Sequence, residues 1–387
     1  MSLLPTDGHY LSRALDLASE AVGLASPNPT VGCVLVRGEG VLGEGAHHYE
    51  AFDHAEIVAL KQAASLGHAT PGATAYVTLE PCSHHGRTGP CADALVGASI
   101  SRCVIATVDP NPQVRGSGIA KLRAAGVEVV IADPASPGAR RARVLNDAFA
   151  HWIQHRRPFV TLKAALSVDG KLAPSPASRT PGAPHWITGE AAREDVQRLR
   201  HAADAILTGI GTVLADDPSL TDRTGLARRQ PSLRVVLDSA LRTPLDSKLV
   251  RSAANDVLLL ASEDADVERE AVLLGAGVDV LRLPSVDGRI DLQAALKHLG
   301  ERGYHGILVE GGSALNGSLL QAELVDKLVL YYGESELGVD AVPFAEGVAS
   351  PYIMQQRLDR VERVSFPHGL GEDVRVSGYF HDPWSGV

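Results

Sequence analysis

Three short stretches in the first half of the chain carry side chains that could do chemistry together: His54-Ala55-Glu56, Pro81-Cys82 and Cys91. Histidine and cysteine are good zinc ligands, and three protein ligands plus a water make a catalytic rather than a structural zinc site. Zinc lowers the pKa of its bound water towards neutrality. A carboxylate at Glu56 could take the proton from that water and pass it on to a departing group. His54 and Glu56 fall at the start of a predicted helix. Two positions apart, their side chains diverge, so one can reach metal while the other reaches substrate. Cys91 follows Pro90, and proline suits the first turn of a helix. The free N–H groups and positive dipole of that helix end would favour a thiolate. Each piece alone is weak: His-Ala-Glu and Pro-Cys both arise by chance, and the run "EPCSHHGRTGPC" at 80–91 could be a disulfide or an ordinary polar loop. The order strand, HAE helix, strand, Pro-Cys, Cys is what makes them a constellation.

These residues need elements to place them. The spacing of Leu11, Leu15, Ala18 and Val22 predicts a helix over 9–24, ended by "SPNP". "TVGCVLV" reads as a buried strand and "GVLGEGAH" as its hairpin partner or a continuation. "HAEIVALKQAASLG" is an amphipathic helix, "ATAYVTL" a strand running into the cysteine loop. A helix after Cys91, a strand at "RCVIATV", a helix near "GIAKLRAAG" and a strand at "VEVVIA" continue the alternation. Such alternation implies a sheet covered by helices on both faces. Cys33 and Cys103 lie inside strands and read as small core residues. The composition changes at "DPASPGARRARVLNDAFAHWIQHRRP", which places the boundary near 146–157: a domain over 1–146, a linking helix over 147–157 and a domain over 158–387.

The second alternating run has predicted strands at "FVTLKAAL", "DAILTG", "LRVVLD", "NDVLLLA", "VDVLRL", "HGILVEGG" and "KLVLYY". Helices are expected near 190–202, 265–274, 291–301 and 313–323, and "VRVSGYF" is the final strand. In "ILVEGGSALNGSLL" a buried strand ends at Glu310-Gly311-Gly312 and a helix opens at Ser313 or Ala314. Glycines there let backbone approach a ligand, and the helix start offers N–H groups to phosphate. "GIGTV" at 209–213 reads as another glycine turn. Arg200 and Arg223, by composition alone, are solvated charges.

With 387 residues, the chain is long enough for two domains. Hydrophobic content of 45% and charged content of 21% are ordinary for a globular protein. The net charge of −10 gives no broad attraction to nucleic acid. No basic-then-apolar start and no apolar run of roughly 20 residues appear, so the expected location is the cytoplasm, without membrane insertion. Disulfides are rare there, and a close cysteine pair then points to metal or catalysis.

"SPNPTVGCVLV", "GEGAHHYEAFDHAE", "TLEPCSHHGRTGPC" and "VDPNPQVRGSGIAKLRAAGVEV" together closely resemble the deaminase half of the bifunctional riboflavin-biosynthesis deaminase/reductase family. In that family the long spacing between the two metal cysteines is the rule. The resemblance implies that His54, Cys82 and Cys91 bind zinc and that Glu56 shuttles protons. It places Asn28 and His47 near the substrate, with His84, His85 and Arg87 shaping the pocket. Ala51 and Gly89 depart from the family pattern, where glycine and proline are common. "VTLKAALSVDGKLA", "HWITGEAAREDVQRLRHAADAILTGIGTVLADDPSLTDR" and "ILVEGGSALNGSLLQAELVD" look like the reductase half of the same family. That resemblance implies an α/β protein: an N-terminal three-layer cytidine-deaminase-like domain and a C-terminal dihydrofolate-reductase-like domain that uses NADPH. Motif matching puts Ala165, Trp186, Thr212, Asp216, Ser239, Gly312, Ser313, Ala314, Leu315, Asn316, Gly317 and Ser318 near NADPH. Lys163, Asp169, Arg200, Leu220, Arg223 and Glu310 fall near the substrate, the two arginines as candidates for its 5′-phosphate. Pro184 stands where the family has a small polar residue, and "YYGESELG" replaces a more usual segment, with Glu334 and Ser335 at the positions of Pro and Lys. The implied reactions are zinc-dependent deamination of 2,5-diamino-6-ribosylamino-4(3H)-pyrimidinone 5′-phosphate, then NADPH-dependent reduction of the ribosylaminouracil phosphate. The implied partners are that small pyrimidine ribotide and a second copy of the chain, as a homodimer. Two other readings are a nucleoside or tRNA-base deaminase with an accessory domain, against which the acidic charge argues, and a zinc-stabilised binding protein, against which Glu56 beside an open zinc position argues.

Overall fold

The computed structural model of the chain describes residues 5–85, 89–178, 186–348, 350–369 and 371–387. Arg87 and Pro184 lie outside them. Two compact units are present: Met1–Arg156 with Ala227–Arg229 and Pro383–Val387, and Arg157–Leu226 with Gln230–Asp382.

The first unit runs α1 (Pro5–Glu20), β1 (Gly32–Arg37), β2 (Gly40–Ala46), α2 (Ala55–Ser65), β3 (Thr74–Val77), α3 (Cys91–Gly97), β4 (Arg102–Ile105), α4 (Ser117–Ala124), β5 (Glu128–Ile131), α5 (Pro137–Leu145) and α6 (Asp147–His155). Its sheet has the order β2-β1-β3-β4-β5. β1 is antiparallel to both β2 and β3, and β3, β4 and β5 are parallel. Strand alternation sends Cys33, Leu35, Ala75, Val77 and Cys103 to one face, against α2, α3 and α4. Val34, Val36, Tyr76 and Val104 go to the other, against α1 and α5. The result is three layers with a dry core on each side of the sheet. Cys33 and Cys103 are fully buried thiols in this core.

The second unit runs β6 (Phe159–Leu166), β7 (Lys171–Ala173), α7 (Glu190–Ala202), β8 (Ala205–Gly209), α8 (Ile210–Asp216), β9 (Leu233–Leu237), α9 (Lys248–Arg251), β10 (Val257–Ser262), α10 (Val267–Gly275), β11 (Asp279–Leu283), β12 (Ser285–Val286), β13 (Arg289–Ile290), α11 (Leu292–Glu301), β14 (Gly306–Val309), α12 (Ser313–Gln321), β15 (Lys327–Tyr332), β16 (Val342–Pro343), α13 (Pro351–Gln355), β17 (Asp359–His368) and β18 (Gly371–Tyr379). Nine strands form one sheet in the order β11-β10-β9-β8-β14-β6-β15-β18-β17. It is parallel up to β15, and the last two strands close it as an antiparallel hairpin. Neighbouring residues divide between its faces: Leu207 and Val235 pack with α11 and α12, Ile206 and Val236 with α8, α9 and α10.

The short elements β7, α9, β12, β13, β16 and α13 have no counterpart in the sequence reading, and two longer ones differ from it. "GIGTV" is not a turn, because Ile210–Asp216 forms a helix whose Val213 reaches the core. β17 carries no apolar alternation, since nearly all its side chains are exposed, and only pairing with β18 makes it a strand. Among the described residues, no helix is long and apolar enough to cross a membrane.

Candidate functional site

The first site is built by backbone closeness. α2 lies directly on β2 because Gly43 and Gly45 carry no side chain. A Cβ at Gly45 would stand 2.5 Å from the Ala55 carbonyl oxygen and 2.7 Å from the Ala59 nitrogen; one at Gly43 would stand 2.3 Å from the Ala59 carbonyl oxygen. On the facing side of α2, Ala55, Ala59 and Ala63 are fully buried. This contact sets the start of the helix. His54 is its extended N-cap residue and Glu56 lies in its first turn.

β3 delivers the polypeptide to Pro81-Cys82, and Cys91 begins α3 with Pro90 as N-cap. The helix-start N–H of Cys91 points at the Cys82 sulfur, 3.3 Å away, and the Ala92 N–H at the Cys82 carbonyl, 3.1 Å away. The stabilisation expected for a thiolate at Cys91 therefore falls on Cys82 instead. His54 Nδ1 lies 3.2 Å from Cys91 Sγ and 3.5 Å from Cys82 Sγ. All three donor atoms lie within 4.8 Å of one another. Roughly 3.5 Å is the edge of a tetrahedron with ordinary zinc–nitrogen and zinc–sulfur bonds, so the donor set fits zinc. The Cys91 thiol and then His54 bond to the Cys82 sulfur and hold its pKa down to about 4. The same shared bond, with burial, pushes the Cys91 thiol up. Glu56, 3% exposed, is pushed up by burial to about 7, the value suited to taking and giving protons at neutral pH.

His47 Nδ1 donates to the Asp53 carbonyl at 2.8 Å, so its Nε2 accepts from the Asn28 amide at 3.0 Å. Burial lowers the pKa of His47, which keeps this ring neutral. The His47 and His54 rings meet edge-on at 5.3 Å. His84 and His85 are exposed.

Two buried residues were not singled out by the sequence reading. The Glu80 carboxylate accepts from four backbone N–H groups: Asp109 at 3.2 Å, Gly116 at 3.0 Å, Gly118 at 3.0 Å and Ile119 at 3.2 Å. It ties the 109–119 segment to Pro81, and Gly118 is obligatory there because a Cβ would stand 1.9 Å from the Pro81 oxygen. Asp109, itself buried, is pushed up by burial to about 6. The signal was present: an acid inside an apolar strand end, followed later by a glycine-rich helix start.

The second site has a different construction. β6 and β14 are parallel neighbours with Val309 paired to Leu162, so Glu310, just past the end of β14, comes beside Lys163 in the middle of β6. Arg200 on α7 forks onto Glu310, Nε to Oε1 at 2.6 Å and Nη2 to Oε2 at 3.1 Å. Its Nη1 donates to the Thr221 carbonyl at 2.9 Å. Lys163 Nζ is 3.7 Å from Glu310. Burial pushes the Glu310 carboxyl up, but the Arg200 and Lys163 charges outweigh it and hold it at about 2. Leu220 is buried with a left-handed φ of 50°, and Arg223 is exposed. Asp169 is occupied: it accepts from Ser167, from the Leu337 N–H at 3.1 Å and from the Gly338 N–H at 2.9 Å. It holds the "ESELG" segment, whose Ser335 carbonyl also accepts from the Val168 N–H at 2.9 Å.

Beside this triad the starts of α8 and α12 converge. A Cβ on Gly312 would lie 3.4 Å from Thr212 Oγ1, and one on Gly209 3.8 Å from Leu315. Ser313 Oγ and Asn316 Oδ1 are buried without a hydrogen-bond partner. Helical periodicity divides the 312–318 run. Ser313, Ala314 and Leu315 form the first turn, whereas Gly317 packs on the Glu346 backbone, where a Cβ would stand 2.2 Å from its oxygen. Ala165 pairs with Tyr331 across β6 and β15. Trp186 is 63% exposed beneath the Arg193 guanidinium at 4.9 Å. Asp216 ends α8, and the Ser239 carbonyl accepts from the Ser262 N–H at 3.0 Å.

Residues 5–107 match the cytidine and deoxycytidylate deaminase zinc-binding region, and 158–366 match the RibD C-terminal domain. Riboflavin biosynthesis protein RibD of Actinobacillus pleuropneumoniae is 42% identical over 338 residues, 86% of this chain and 85% of that one. The structure of Acinetobacter baumannii RibD superimposes with a TM-score of 0.77 at 35% identity, over 96% of this chain and 98% of that one. A diaminohydroxyphosphoribosylaminopyrimidine deaminase/5-amino-6-(5-phosphoribosylamino)uracil reductase from Thermotoga maritima does so with a TM-score of 0.78 at 31% identity and the same coverage. The cytidine-deaminase-like and reductase folds, a zinc-binding deaminase region and a reductase domain stand in one polypeptide, and the chain belongs to the RibD family of bifunctional riboflavin-biosynthesis deaminase/reductases.

Proposed function

We propose that the first unit deaminates 2,5-diamino-6-ribosylamino-4(3H)-pyrimidinone 5′-phosphate and that the second reduces 5-amino-6-(5-phosphoribosylamino)uracil with NADPH to the ribitylamino product. The observation that carries the first half is the cluster of His54, Cys82 and Cys91 within 4.8 Å, beside a buried Glu56. These three residues would hold zinc, which supplies a Lewis acid that makes water acidic near neutral pH. Glu56, with a pKa near that of the medium, accepts the water proton and returns it to the amine as the C2–nitrogen bond breaks and the C2–oxygen bond forms. Asn28 and the neutral His47 orient the pyrimidine.

For the second half, the support is the glycine turn at the start of α12 with its partnerless Ser313 and Asn316 oxygens. A backbone cradle with spare polar atoms suits a dinucleotide phosphate or amide. NADPH, when bound, supplies the hydride. Ala165, Trp186, Thr212, Asp216, Ser239 and the 312–318 run serve as its surroundings. Lys163, Leu220 and Glu310 line the substrate side, and exposed Arg223, with Arg200 held rigid by Glu310, takes the 5′-phosphate. Asp169 acts by holding the 337–338 backbone. The protein works in the cytoplasm as a homodimer, a state that light scattering reads directly.

The test is a coupled assay on the diaminopyrimidine ribotide, with and without NADPH, reading both products alongside zinc content. Without NADPH the deaminated ribosylamino product accumulates; with it, the ribityl product appears. NADPH, much more than NADH, should raise the thermal midpoint. No shift with either cofactor removes the cofactor assignment.

A further inference from the structure

Residues Pro383–Val387 follow the last strand of the second unit but are part of the first. Trp384 is 2% exposed there. Its indole N–H points at the Arg143 carbonyl, 3.2 Å away, and at Asp147 Oδ1, 3.1 Å away, and the Arg143 guanidinium lies 5.5 Å from its ring. Arg143 is in the last turn of α5 and Asp147 opens α6, so the indole sits on the junction of those helices. Gln154 of α6 donates to the Pro383 carbonyl at 2.5 Å.

Asn146 is the residue between the two helices, and it is also 2% exposed. Its Oδ1 accepts from the Thr30 N–H at 2.7 Å, and its Nδ2 donates to the Thr30 carbonyl at 3.1 Å and the Ala142 carbonyl at 3.0 Å. One amide thus clamps both backbone groups of Thr30, 116 positions away. Thr30 is two residues from Asn28, which bonds His47. A second branch runs from the same segment: Arg115 Nη1 donates to the Gly386 carbonyl at 2.9 Å, next to Gly116, whose N–H is held by Glu80.

We infer that Trp384 and Asn146 are positioning residues for the substrate side of the deaminase site. Trp384 fixes the α5–α6 junction, and Asn146 passes that placement to Thr30 and so to the Asn28–His47 pair. The inference rests on the assignment of Asn28 and His47 to the substrate. The sheet lies between α5 and the helices that begin at the metal ligands, and the relay meets a ligand only at its far end, where the His47 ring stands edge-on to His54 at 5.3 Å. α5 packs on one face with α1, whereas α2 and α3, which carry His54, Glu56 and Cys91, pack on the other. Loosening the junction therefore acts first on substrate placement and reaches the donor set only through the His47–His54 ring contact.

The experiment uses the zinc-loaded full chain with Asn146→Ala, Trp384→Ala and Trp384→Phe, and Glu56→Gln alongside. Deaminase KM should rise by about tenfold or more in the two alanine variants, with kcat changed little, zinc retained and the reductase of the same chain unaltered. Trp384→Phe, which keeps an aromatic ring and drops the N–H, should recover part of the KM. An unchanged KM in Asn146→Ala and Trp384→Ala, with Glu56→Gln inactive, overturns the inference while the site assignment stands. KM, kcat and zinc content falling together in every variant, Trp384→Phe included, overturns it in favour of a plain structural staple. A Glu56→Gln enzyme that still deaminates removes the site reading beneath it.

Discussion

The two sites of this chain hold their polar groups in opposite ways. In the deaminase unit the reactive side chains converge on one point, and the surrounding backbone is packed so closely that glycine is required to admit it. In the reductase unit the charged side chains are engaged with one another, Arg200 and Lys163 on Glu310, and the partnerless atoms lie at the helix start beside them. A metal site must bring its donors within a few ångströms before the metal arrives. A cofactor site instead needs a rigid floor and spare hydrogen-bonding atoms, because the cofactor carries its own reactive centre.

The largest effect that tests this contrast is loss of Glu56. Glu56→Gln should lower deaminase kcat by about 10²–10⁴-fold. Zinc content, measured by metal analysis, and reductase rate should both stay at wild-type levels. Next comes Glu310→Ala, which takes the shared carboxylate from two cations whose side chains are only 14% and 11% exposed and should destabilise the second unit by about 3 kcal/mol. Denaturant unfolding reads it; a midpoint equal to wild type would mean that the ion triad is solvated and weak.

Gly45→Ala probes the closeness of α2. The added Cβ collides with helix backbone at 2.5 Å. Deaminase kcat/KM should fall about 10²-fold as His54 and Glu56 move. The matching change in the second unit, Gly312→Ala, meets only Thr212 Oγ1 at 3.4 Å. The fold should tolerate it, with an unshifted melting temperature and an NADPH KM raised by about tenfold at most, since only ligand approach is affected. Equal damage from both substitutions would erase the distinction between the sites.

The smallest effect is in the pH dependence of stability, and its sign differs between the units. Glu310 is held at about 2 against an ordinary value of 4.5. Its contribution is present above the ordinary value and lost as pH falls from there towards 2. Asp109 is raised to about 6 from 3.8. Its contribution is present below 3.8 and lost as pH rises through 6. Hydrogen exchange of each unit between pH 3 and 7 separates the two trends, about one group each.

The deaminase cluster was legible because its residues lie at the ends of elements with clear periodicity. Strand and helix alternation put His54 at a helix start, Cys82 just after a strand and Cys91 at the start of the next helix. The triad in the reductase unit was less legible: Lys163, Arg200 and Glu310 were each marked, but nothing in the sequence pairs Arg200 with Glu310, 110 positions away. The helix at Ile210–Asp216 and strand β17 were missed because each depends on a neighbour, the core cluster that receives Val213 and a partner strand for an otherwise exposed segment.

Residue type and order by themselves marked the candidates: which atoms could ligate a metal, which carboxylate could carry a proton, and where a glycine turn meets a helix. Local periodicity determined most of the elements that carry them. Only the tertiary structure decided which buried carboxylate holds which loop, as with Glu80 and the 109–119 segment, and that Trp384 completes the deaminase unit. Such contacts join residues tens to hundreds of positions apart, and they hold because each buried polar group is hydrogen-bonded, which offsets the cost of taking it out of water. No local propensity encodes that pairing.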